Sequence, residues 1–289
     1  MLISNHQLST EQLEALESLR AQCKAHDGNV IANYRYLLSE IRPLPSNLLY
    51  YQQQQLVGFL SAFFFQQDTV EITLMVAPHS RRQGLATQMI HEILPLLQIQ
   101  RIKTLNFSTP IGLNNEWLLA HGFQYLNCQY QMQRQQQSPL TITNNALAVR
   151  LATEADLPVL CTIDNACFPS SLPNVPQHFL DRLLDPNYQL FIAEINGVPI
   201  GKAHLHFQSK ETRLTDLAIL PEHQGCGLGG NLLAYCINYS LAHDHPTIKL
   251  DVETSNQKAL KLYSHAGFVV DNAYDFWAIP IEVLRSAKH

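Results

Sequence analysis

Residues 224–230 read Gln224-Gly225-Cys226-Gly227-Leu228-Gly229-Gly230, and this stretch decides the fold. It follows the apolar segment RLTDLAIL, which is typical of a strand, and it overlaps the start of residues 228–241, whose apolar side chains recur every three to four positions as in a helix. Glycines let the backbone approach a ligand closely, and the first turn of a helix has N–H groups without partners. The stretch therefore predicts a loop that binds a diphosphate at a helix N-terminus.

An earlier part of the chain repeats this arrangement. The sequence Arg81-Arg82-Gln83-Gly84-Leu85-Ala86 lies 143 residues before the matching loop, and LVG at 56–58 and VAP at 76–78 precede PIG and ILP by the same interval. Farther on, HGF ending at Phe123 precedes AGF ending at Phe268 by 145 residues. Four matches in one order predict two tandem copies of one domain. In the first copy, two guanidinium groups could also pair with phosphate oxygens.

The domain boundary is predicted from composition. The segment 136–146 is polar, contains a proline and has no apolar periodicity, as expected of a linker. The predicted domains are therefore residues 1–135 and residues 147–289, and a length of 289 residues suits two domains.

Local signals give the order of elements within each copy. Ser9 and Thr153 each precede a side chain suited to a capping box, which predicts a helix at the start of each copy. Asn196-Gly197 between two apolar segments predicts a β-hairpin, and Gly267 predicts the end of a helix over residues 256–266. Helices that alternate with strands in this order predict an α/β fold (mixed α+β) in each copy. Each copy would then contain a mixed sheet flanked by helices.

Composition excludes several classes of function. Hydrophobic residues make up 46% and charged residues 15% of the chain, and the net charge of -5 gives no basic surface for nucleic acid. The six cysteines form no CxxC pair and no Cys/His ladder, which predicts reduced thiols and no metal site. The chain has no signal-like N-terminus and no apolar run long enough for a membrane span, so a cytoplasmic protein without membrane contact is expected.

Two other interpretations of the glycine-rich loop must be weighed. A single loop of this kind can be a helix start that binds nothing, but two copies in the same context make this reading weaker. Residues 225–230 also match G-x-G-x-x-G, the pattern of dinucleotide-binding folds. Against that reading, residues 221–224 separate the strand from the glycines, the match lies late in the chain, and the first copy has no G-x-G. A Walker loop is excluded because no Lys-Ser or Lys-Thr follows.

Both loops resemble the Q/R-x-x-G-x-G/A signature of the GNAT acetyltransferase superfamily. Residues 256–268 similarly resemble its downstream element N-x-x-A-x-x-x-Y-x-x-x-G-F, and the likeness covers most of each half from about residues 56 and 199 onward. The resemblance implies two tandem acyl-CoA N-acyltransferase folds, each with a twisted sheet that splays between its fourth and fifth strands. It also implies that acetyl-CoA lies in the splay, where the backbone of Leu217-Ala218-Ile219 would bind the pantetheine arm as an added strand would.

The resemblance assigns candidate catalytic residues to the second copy. Tyr263 would protonate the departing thiolate, and Asn256 would hold the cofactor. Asp251 resembles the fifth-strand glutamate of ribosomal-protein alanine acetyltransferases and is the first candidate for the base, with Asp216 as its rival. The alternatives are an aromatic that packs its helix on the sheet for Tyr263, and a solvated strand-face carboxylate for either aspartate.

The first copy departs from the family pattern. Leu118 stands where the tyrosine is expected, and the strand face that carries Asp251 in the second copy shows Thr104, Asn106 and Ser108 here. The first copy is therefore expected to be degenerate, with the chemistry in the second copy, and its loop would bind either a second acyl-CoA or nothing.

Other reactive side chains are interpreted conservatively. His204 and His206 share one strand face and are expected to be ordinary, partly exposed histidines, because no third ligand stands at metal-binding spacing. Cys226 lies at a helix N-terminus, but no histidine is placed to activate it, so it is treated as a small loop residue.

The sequence thus predicts an enzyme that transfers the acetyl group of acetyl-CoA to a primary amine of a small molecule or a peptide N-terminus. A non-catalytic acyl-CoA sensor and an NAD-binding oxidoreductase are the alternatives. The acceptor and the acyl chain length carry no sequence signal, and either a monomer or a homodimer is compatible with the pattern.

Overall fold

The structure, a computed structural model, describes residues 1–31, 35–65, 68–168, 175–208 and 211–286. The chain divides into two compact units. Unit 1 contains residues 1–129 together with the C-terminal residues from 272 onward, and unit 2 contains residues 130–271.

The first half of the chain begins with a short strand and a long helix. Ser9 caps that helix as predicted, because its Oγ accepts from the Gln12 amide and the Gln12 side chain accepts from the Ser9 amide. In chain order the elements are β1 (Leu2–Asn5), α1 (Thr10–Asp27), α2 (Arg35–Leu38), β2 (Asn47–Gln52), β3 (Gln55–Phe63), β4 (Thr69–Val76), α3 (Leu85–Ile99), β5 (Thr104–Pro110), α4 (Asn115–Ala120) and β6 (Gln124–Arg134).

The second half repeats this order. Thr153 forms the predicted capping box with Asp156 before its first helix, and Asn196 and Gly197, both at positive φ, form the predicted hairpin turn. The elements are β7 (Leu147–Leu151), α5 (Leu157–Cys167), α6 (Val175–Leu184), β8 (Tyr188–Ile195), β9 (Val198–Gln208), β10 (Glu211–Ile219), α7 (Leu228–Ala242), β11 (Thr247–Glu253), α8 (Gln257–His265), β12 (Val269–Pro280) and α9 (Ile281–Ser286).

Each unit contains a mixed sheet flanked by helices, which confirms the predicted fold class. In unit 1 the strand order is β1-β2-β3-β4-β5-β12, and only β4 and β5 pair in parallel. In unit 2 the order is β7-β8-β9-β10-β11-β6, with the parallel pair between β10 and β11. The antiparallel run from β7 to β10 rules out a doubly wound dinucleotide fold for unit 2.

The parallel strands part before they end, as the family resemblance implied. Pairing of β4 with β5 covers Thr69–Ile72 on β4, and pairing of β10 with β11 covers only residues 211–213 on β10. Beyond these positions β4 and β10 continue to Val76 and Ile219. A gap therefore opens in each sheet next to its glycine-rich loop.

The two units do not coincide with the predicted domains, because the last strand of the chain pairs in unit 1. Tyr274–Pro280 of β12 runs antiparallel to β5, and Trp277, Ile279 and Ile281 are buried in the core of unit 1. Conversely, Met132 of β6 is buried in the core of unit 2.

Candidate functional site

The glycine-rich loop of unit 2 has the backbone needed to bind a diphosphate. Gly225 and Gly227 adopt positive φ values of 81° and 77°, and α7 begins directly after Gly227. The left-handed conformation at both positions explains why glycine is required there. The first amides of α7 have no partner within the helix and face the loop. The predicted binding residues that form this loop and first turn are Gln224, Gly225, Cys226, Gly227, Leu228, Gly229 and Gly230.

The loop of unit 1 follows the same path. Arg82 and Gly84 have φ values of 60° and 79°, matching the two glycines of unit 2, and α3 begins at Leu85. Gln83 and Ala86 complete the predicted set. The backbone geometry of the signature is therefore present in both units.

The first residue of each signature ties the loop to the strand before it. Gln224 Nε2 donates to the carbonyl oxygen of Ile219 at 2.8 Å, and Arg81 Nε donates to that of Val76 at 3.0 Å. Both carbonyls belong to the last residue of the strand, so the side chain holds the loop against the sheet. The family resemblance predicts that pantetheine binds to the backbone of Leu217, Ala218 and Ile219. The carbonyl of Ile219 already accepts this hydrogen bond from the Gln224 side chain.

Two cysteines that the sequence analysis did not single out reach the same carbonyls. Cys23 Sγ lies 3.6 Å from the Val76 oxygen, and Cys167 Sγ lies 3.5 Å from the Ile219 oxygen. The two cysteines are 144 residues apart, which agrees with the interval of the repeat. Aligning the opening helices of the two copies by that interval could have found them.

Arg81 has further partners that change its predicted role. Its Nη1 and Nη2 bind the Asp27 carboxylate in a bidentate pair at 2.8 and 2.7 Å, and Asp27 is 3% exposed. Because the guanidinium is held by Asp27 and by the Val76 carbonyl, Arg81 supports the loop. Arg82 is exposed and is the guanidinium that can face a phosphate.

A β-bulge distinguishes β10 from its counterpart in unit 1. Asp216 and Leu217 together lie opposite Ala203 of β9, and Asp216 has a φ of 53°, unusual for a residue with a Cβ. Gly201 permits the close approach beyond the bulge, since a Cβ there would lie 2.5 Å from the Ala218 oxygen. By contrast, β3 and β4 pair without a shift from Gly58 opposite Val76 to Phe63 opposite Glu71. Strained residues at bulges are concentrated at functional sites.

The carboxylate of Asp216 is held by one oxygen. Oδ2 accepts from His204 Nδ1 at 2.8 Å and from Arg182 Nη1, whereas Oδ1 has no partner among the described residues. Burial alone would raise the pKa of Asp216, but the hydrogen bond from His204 and the charges of Arg182 and Lys202 outweigh it. The pKa therefore lies well below its usual range, and the side chain, 30% exposed, offers a fixed anionic oxygen.

His204 was predicted to be partly exposed, and this was wrong. His204 is fully buried and His206 is 8% exposed, because α5 and α6 cover this face of β9. Its Nε2 is buried without a hydrogen-bond partner among the described residues, and the Phe179 ring meets it edge-on with centroids 5.7 Å apart. Burial lowers the pKa of His204 to about 4, against the opposing pull of Asp216. The imidazole is therefore neutral, and its Nδ1 lies 2.8 Å from Asp216 Oδ2 and 3.1 Å from Arg182 Nη1.

This burial predicts an acid-sensitive unit 2. The pKa of His204 is about 4 in the folded protein against an ordinary histidine value of 6.5, so the unfolded state binds the proton at a higher pH. The contribution of the neutral, buried imidazole to stability is therefore complete above pH 6.5 and is lost as the pH falls toward 4. The free energy of unfolding should fall by about 2 kcal/mol between pH 7 and pH 5 from this group. Urea unfolding at both pH values should show a smaller fall in His204→Gln. The exposed His265→Gln is the control, and an equal fall in all three proteins would contradict the assignment.

Tyr263 lies on α8 and is 9% exposed. Burial raises its pKa to about 12, and its hydroxyl makes no hydrogen bond to the described residues. Its equivalent in unit 1, Leu118, lines a cavity at the sheet gap. Asn256 caps α8, because its side-chain oxygen accepts from the Ala259 amide at 3.1 Å.

Asp251 faces away from the buried Ile248, Leu250 and Val252, as strand alternation predicted. Its carboxylate, however, forms an ion pair with Arg213 of β10, and Oδ1 lies 3.5 Å from Gln131 Nε2. Arg213 of β10 and Gln131 of β6 therefore engage the carboxylate of Asp251, whereas Oδ1 of Asp216 has no hydrogen-bond partner in the described part of the chain.

Unit 1 contains a cavity of about 580 Å³ between α1, β4, the loop, β5 and α4. Most of its wall is apolar, but Ser108 and Thr109 line it with buried hydroxyls that have no partner among the described residues. Leaving such groups unsatisfied is costly, so they indicate a ligand with polar groups.

The described residues contain no cluster of His, Cys, Asp and Glu suited to a metal ion. None of the helices in this part of the chain is long and apolar enough to cross a membrane.

Comparison with known families agrees with this geometry. The sequence profile described as "Acetyltransferase (GNAT) family" matches residues 12–114 and 157–268. Mycothiol acetyltransferase of Acidimicrobium ferrooxidans is 36% identical over 86 residues, 28% of this chain and 28% of that protein. An uncharacterised protein of Mycobacterium leprae is 25% identical over 142 residues, 47% of this chain and 38% of that protein. The matches thus span well under half the length of either relative.

Solved structures share the fold over nearly the whole chain. A GCN5-related N-acetyltransferase from Sphaerobacter thermophilus superposes with a TM-score of 0.80 at 15% identity, covering 97% of this chain and 96% of that one. A tandem GNAT protein from the clavulanic acid biosynthesis pathway gives a TM-score of 0.70 at 13% identity, covering 97% and 98%. At these identities the likeness concerns the fold alone.

Proposed function

The chain belongs to the acetyltransferase (GNAT) family, and from this premise we propose that it transfers the acetyl group of acetyl-CoA to a primary amine of a small molecule or a peptide N-terminus, with the chemistry in unit 2. The observation that carries the proposal is the bulge at Asp216, which fixes a carboxylate on the part of β10 that no longer pairs with β11. The diphosphate loop follows a few residues after the end of this strand at Ile219.

The proposed reaction is a direct attack on the thioester. The amine nitrogen bonds to the thioester carbonyl carbon, the carbon–sulfur bond breaks, and the sulfur leaves as a thiolate. Tyr263 donates its phenolic proton to that thiolate, which its raised pKa permits at neutral pH. Asp216 first binds the incoming ammonium through Oδ1, and the ammonium gives one proton to water before the attack, because only the neutral amine is nucleophilic. The second nitrogen proton leaves when the amide forms and returns through water to the Tyr263 phenolate, so that CoA leaves as the thiol and one proton is released overall.

His204 and Arg182 act in this scheme as positioning residues. Both bind Oδ2 of Asp216, which fixes the carboxylate and leaves Oδ1 without a hydrogen-bond partner among the described residues. A carboxylate with a low pKa is a weak base, so its main contribution is to bind the amine in the orientation for attack.

Replacement of Asp216 tests this assignment. Asp216→Asn removes the charge while keeping the shape, and a hydrogen bond to a charged group contributes about 1.5–3 kcal/mol, so kcat/KM for the amine should fall roughly 10- to 100-fold. Most of the loss should appear in the KM for the amine, measured by thiol release at saturating acetyl-CoA.

Asp251→Asn is the matched control, because it removes the other candidate carboxylate. It breaks the pair with Arg213 and should lower thermal stability while leaving the KM for the amine nearly unchanged. If instead Asp251→Asn abolishes turnover and Asp216→Asn does not, Asp251 is the base and our assignment of Asp216 is wrong.

In unit 1 we propose that an acyl-CoA binds without turnover. The cavity, the matching loop and the unsatisfied hydroxyls of Ser108 and Thr109 support binding. Leu118 supplies no proton, and Thr73 stands at the position of Asp216 with a buried hydroxyl and no charge.

A non-catalytic acyl-CoA sensor is the second candidate, because Tyr263 is largely buried in the core of unit 2. The two functions are separated by incubating the protein with acetyl-CoA and a panel of amines that includes polyamines, amino acid amides and short peptides. An acetyltransferase releases thiol only when a suitable amine is present and yields the acetylated amine. A sensor binds acetyl-CoA in calorimetry and releases no thiol with any member of the panel.

A further inference from the structure

Unit 1 presents an aromatic pair at the rim of its cavity that unit 2 lacks. Trp117 on α4 stacks on His121 with ring centroids 3.9 Å apart and planes inclined by 23°. Both side chains line the cavity together with residues of the diphosphate loop, including Arg82 and Gly84. Leu262 and Ala266 hold the equivalent positions in unit 2, so no stacked pair can form there.

Trp117 is 49% exposed although it is the largest apolar side chain of its helix. His121 covers one face of the indole, and His121 Nδ1 is fixed 2.7 Å from the Trp117 carbonyl oxygen. The other aromatic contact of Trp117, with Phe123, is tilted at 6.4 Å and covers no face. Among the described residues no ring therefore stacks on the second face of the indole, and the contact with His121 sets the orientation of the ring in advance.

We propose that Trp117, backed by His121, is a stacking subsite for the adenine base of a nucleotide whose diphosphate binds the unit 1 loop. The cavity lining includes the three kinds of surface that such a ligand needs: apolar side chains, the glycine-rich loop with Arg82, and the aromatic plane of Trp117. Stacking needs only a π-face, so every purine fits the plane, and the loop adds the requirement for a diphosphate. The proposal rests on acyl-CoA binding in unit 1 and identifies which part of the molecule is recognised there.

The two tryptophans of the chain, Trp117 and Trp277, both belong to unit 1, which makes its occupancy visible by fluorescence. Trp277 is 2% exposed and serves as an internal reference. Titration with CoA or with ADP, which both carry an adenine base and a diphosphate, should quench Trp117, whereas pantetheine, which lacks the base, should not. Quenching by pantetheine, or by CoA but not by ADP, would overturn the assignment of the base to Trp117.

Trp117→Leu copies unit 2 at this position and should weaken CoA binding in unit 1 roughly 5- to 150-fold, the effect expected for loss of one stacked base. Trp117→Phe should recover part of the affinity. Leu119→Ala, on the same helix with 60% exposure and outside the cavity wall, is the control for helix integrity. Calorimetry gives the stoichiometry and the affinity of each site.

The outcomes separate this inference from the function proposed above. Two CoA sites with unchanged affinity in Trp117→Leu, or binding to unit 1 without quenching, would overturn the stacking subsite and leave acyl-CoA binding intact. A single site, in unit 2 only, would overturn both the stacking subsite and the proposal that unit 1 binds acyl-CoA, while acetyl transfer by unit 2 would stand.

Discussion

Replacing Tyr263 with phenylalanine is expected to lower kcat roughly 10²- to 10⁴-fold, the range that general acid catalysis contributes, with little change in the affinity for acetyl-CoA. The ring keeps its packing against Phe268 and the core of unit 2, so only one hydroxyl is lost. Because burial raises the pKa of this phenol to about 12, the group remains protonated over the working pH range and can act only as an acid. The loss should therefore be nearly constant between pH 6 and pH 9.

Thiol release with a saturating amine measures this effect, and calorimetry measures binding of acetyl-CoA. Tyr239→Phe on α7 removes a hydroxyl from a different aromatic of the same unit and is the control. Unchanged turnover in Tyr263→Phe would remove the tyrosine from the mechanism and strengthen the sensor function. A parallel loss of binding and of thermal stability would mean that the hydroxyl is structural.

Truncation after Asp271 should prevent unit 1 from folding, although residues 1–129 of this unit are all retained. The deletion removes the strand paired with β5 and the buried side chains of Trp277, Ile279 and Ile281. Burial of each such side chain contributes roughly 1.5–3 kcal/mol, so the sum is comparable with the whole stability of a domain, about 5–15 kcal/mol. Hydrogen bonds outside the strand pairing also disappear, among them the two that join the Asn272 side chain to the Val30 backbone.

The truncated protein should lose cooperative melting of unit 1 in calorimetry and the CoA-dependent signal of Trp117. Truncation after Ser286 keeps all of these contacts and is the control. If the shorter chain still quenched with CoA and melted like the full chain, β12 would be dispensable and the division into units would need revision.

Features with a local cause could be predicted from the sequence. The left-handed turns at Gly84 and Gly227, the hairpin at Asn196-Gly197 and the caps at Ser9 and Thr153 each depend on a few adjacent residues, and the structure contains them all. The internal repeat then predicted where both loops lie in the sequence, because the same local pattern occurs twice.

Features that depend on distant residues could not be predicted. The local sequence predicted an exposed strand position for His204. Its burial depends on Phe179, which lies on a helix and precedes His204 by 25 residues in the sequence. Asp216 appeared as one carboxylate among several, since neither the bulge nor the contact with Arg182 leaves a trace in the local pattern. The pairing of Arg81 with Asp27 likewise joins residues 54 positions apart. The sequence says even less about which strands pair with each other. Apolar and polar side chains alternate along β12 in the same way whichever strand it pairs with.

The return of the chain to unit 1 reverses the usual order of folding during synthesis. Unit 2 can close once residue 271 has left the ribosome, whereas unit 1, begun first, must wait for the residues of β12. At 5–20 residues per second the first 129 residues spend roughly 7–30 s without their final strand, with the edge of β5 unpaired. The N-terminal unit is thus completed last, and during this interval the nascent chain is a natural client for chaperones that bind exposed strand edges.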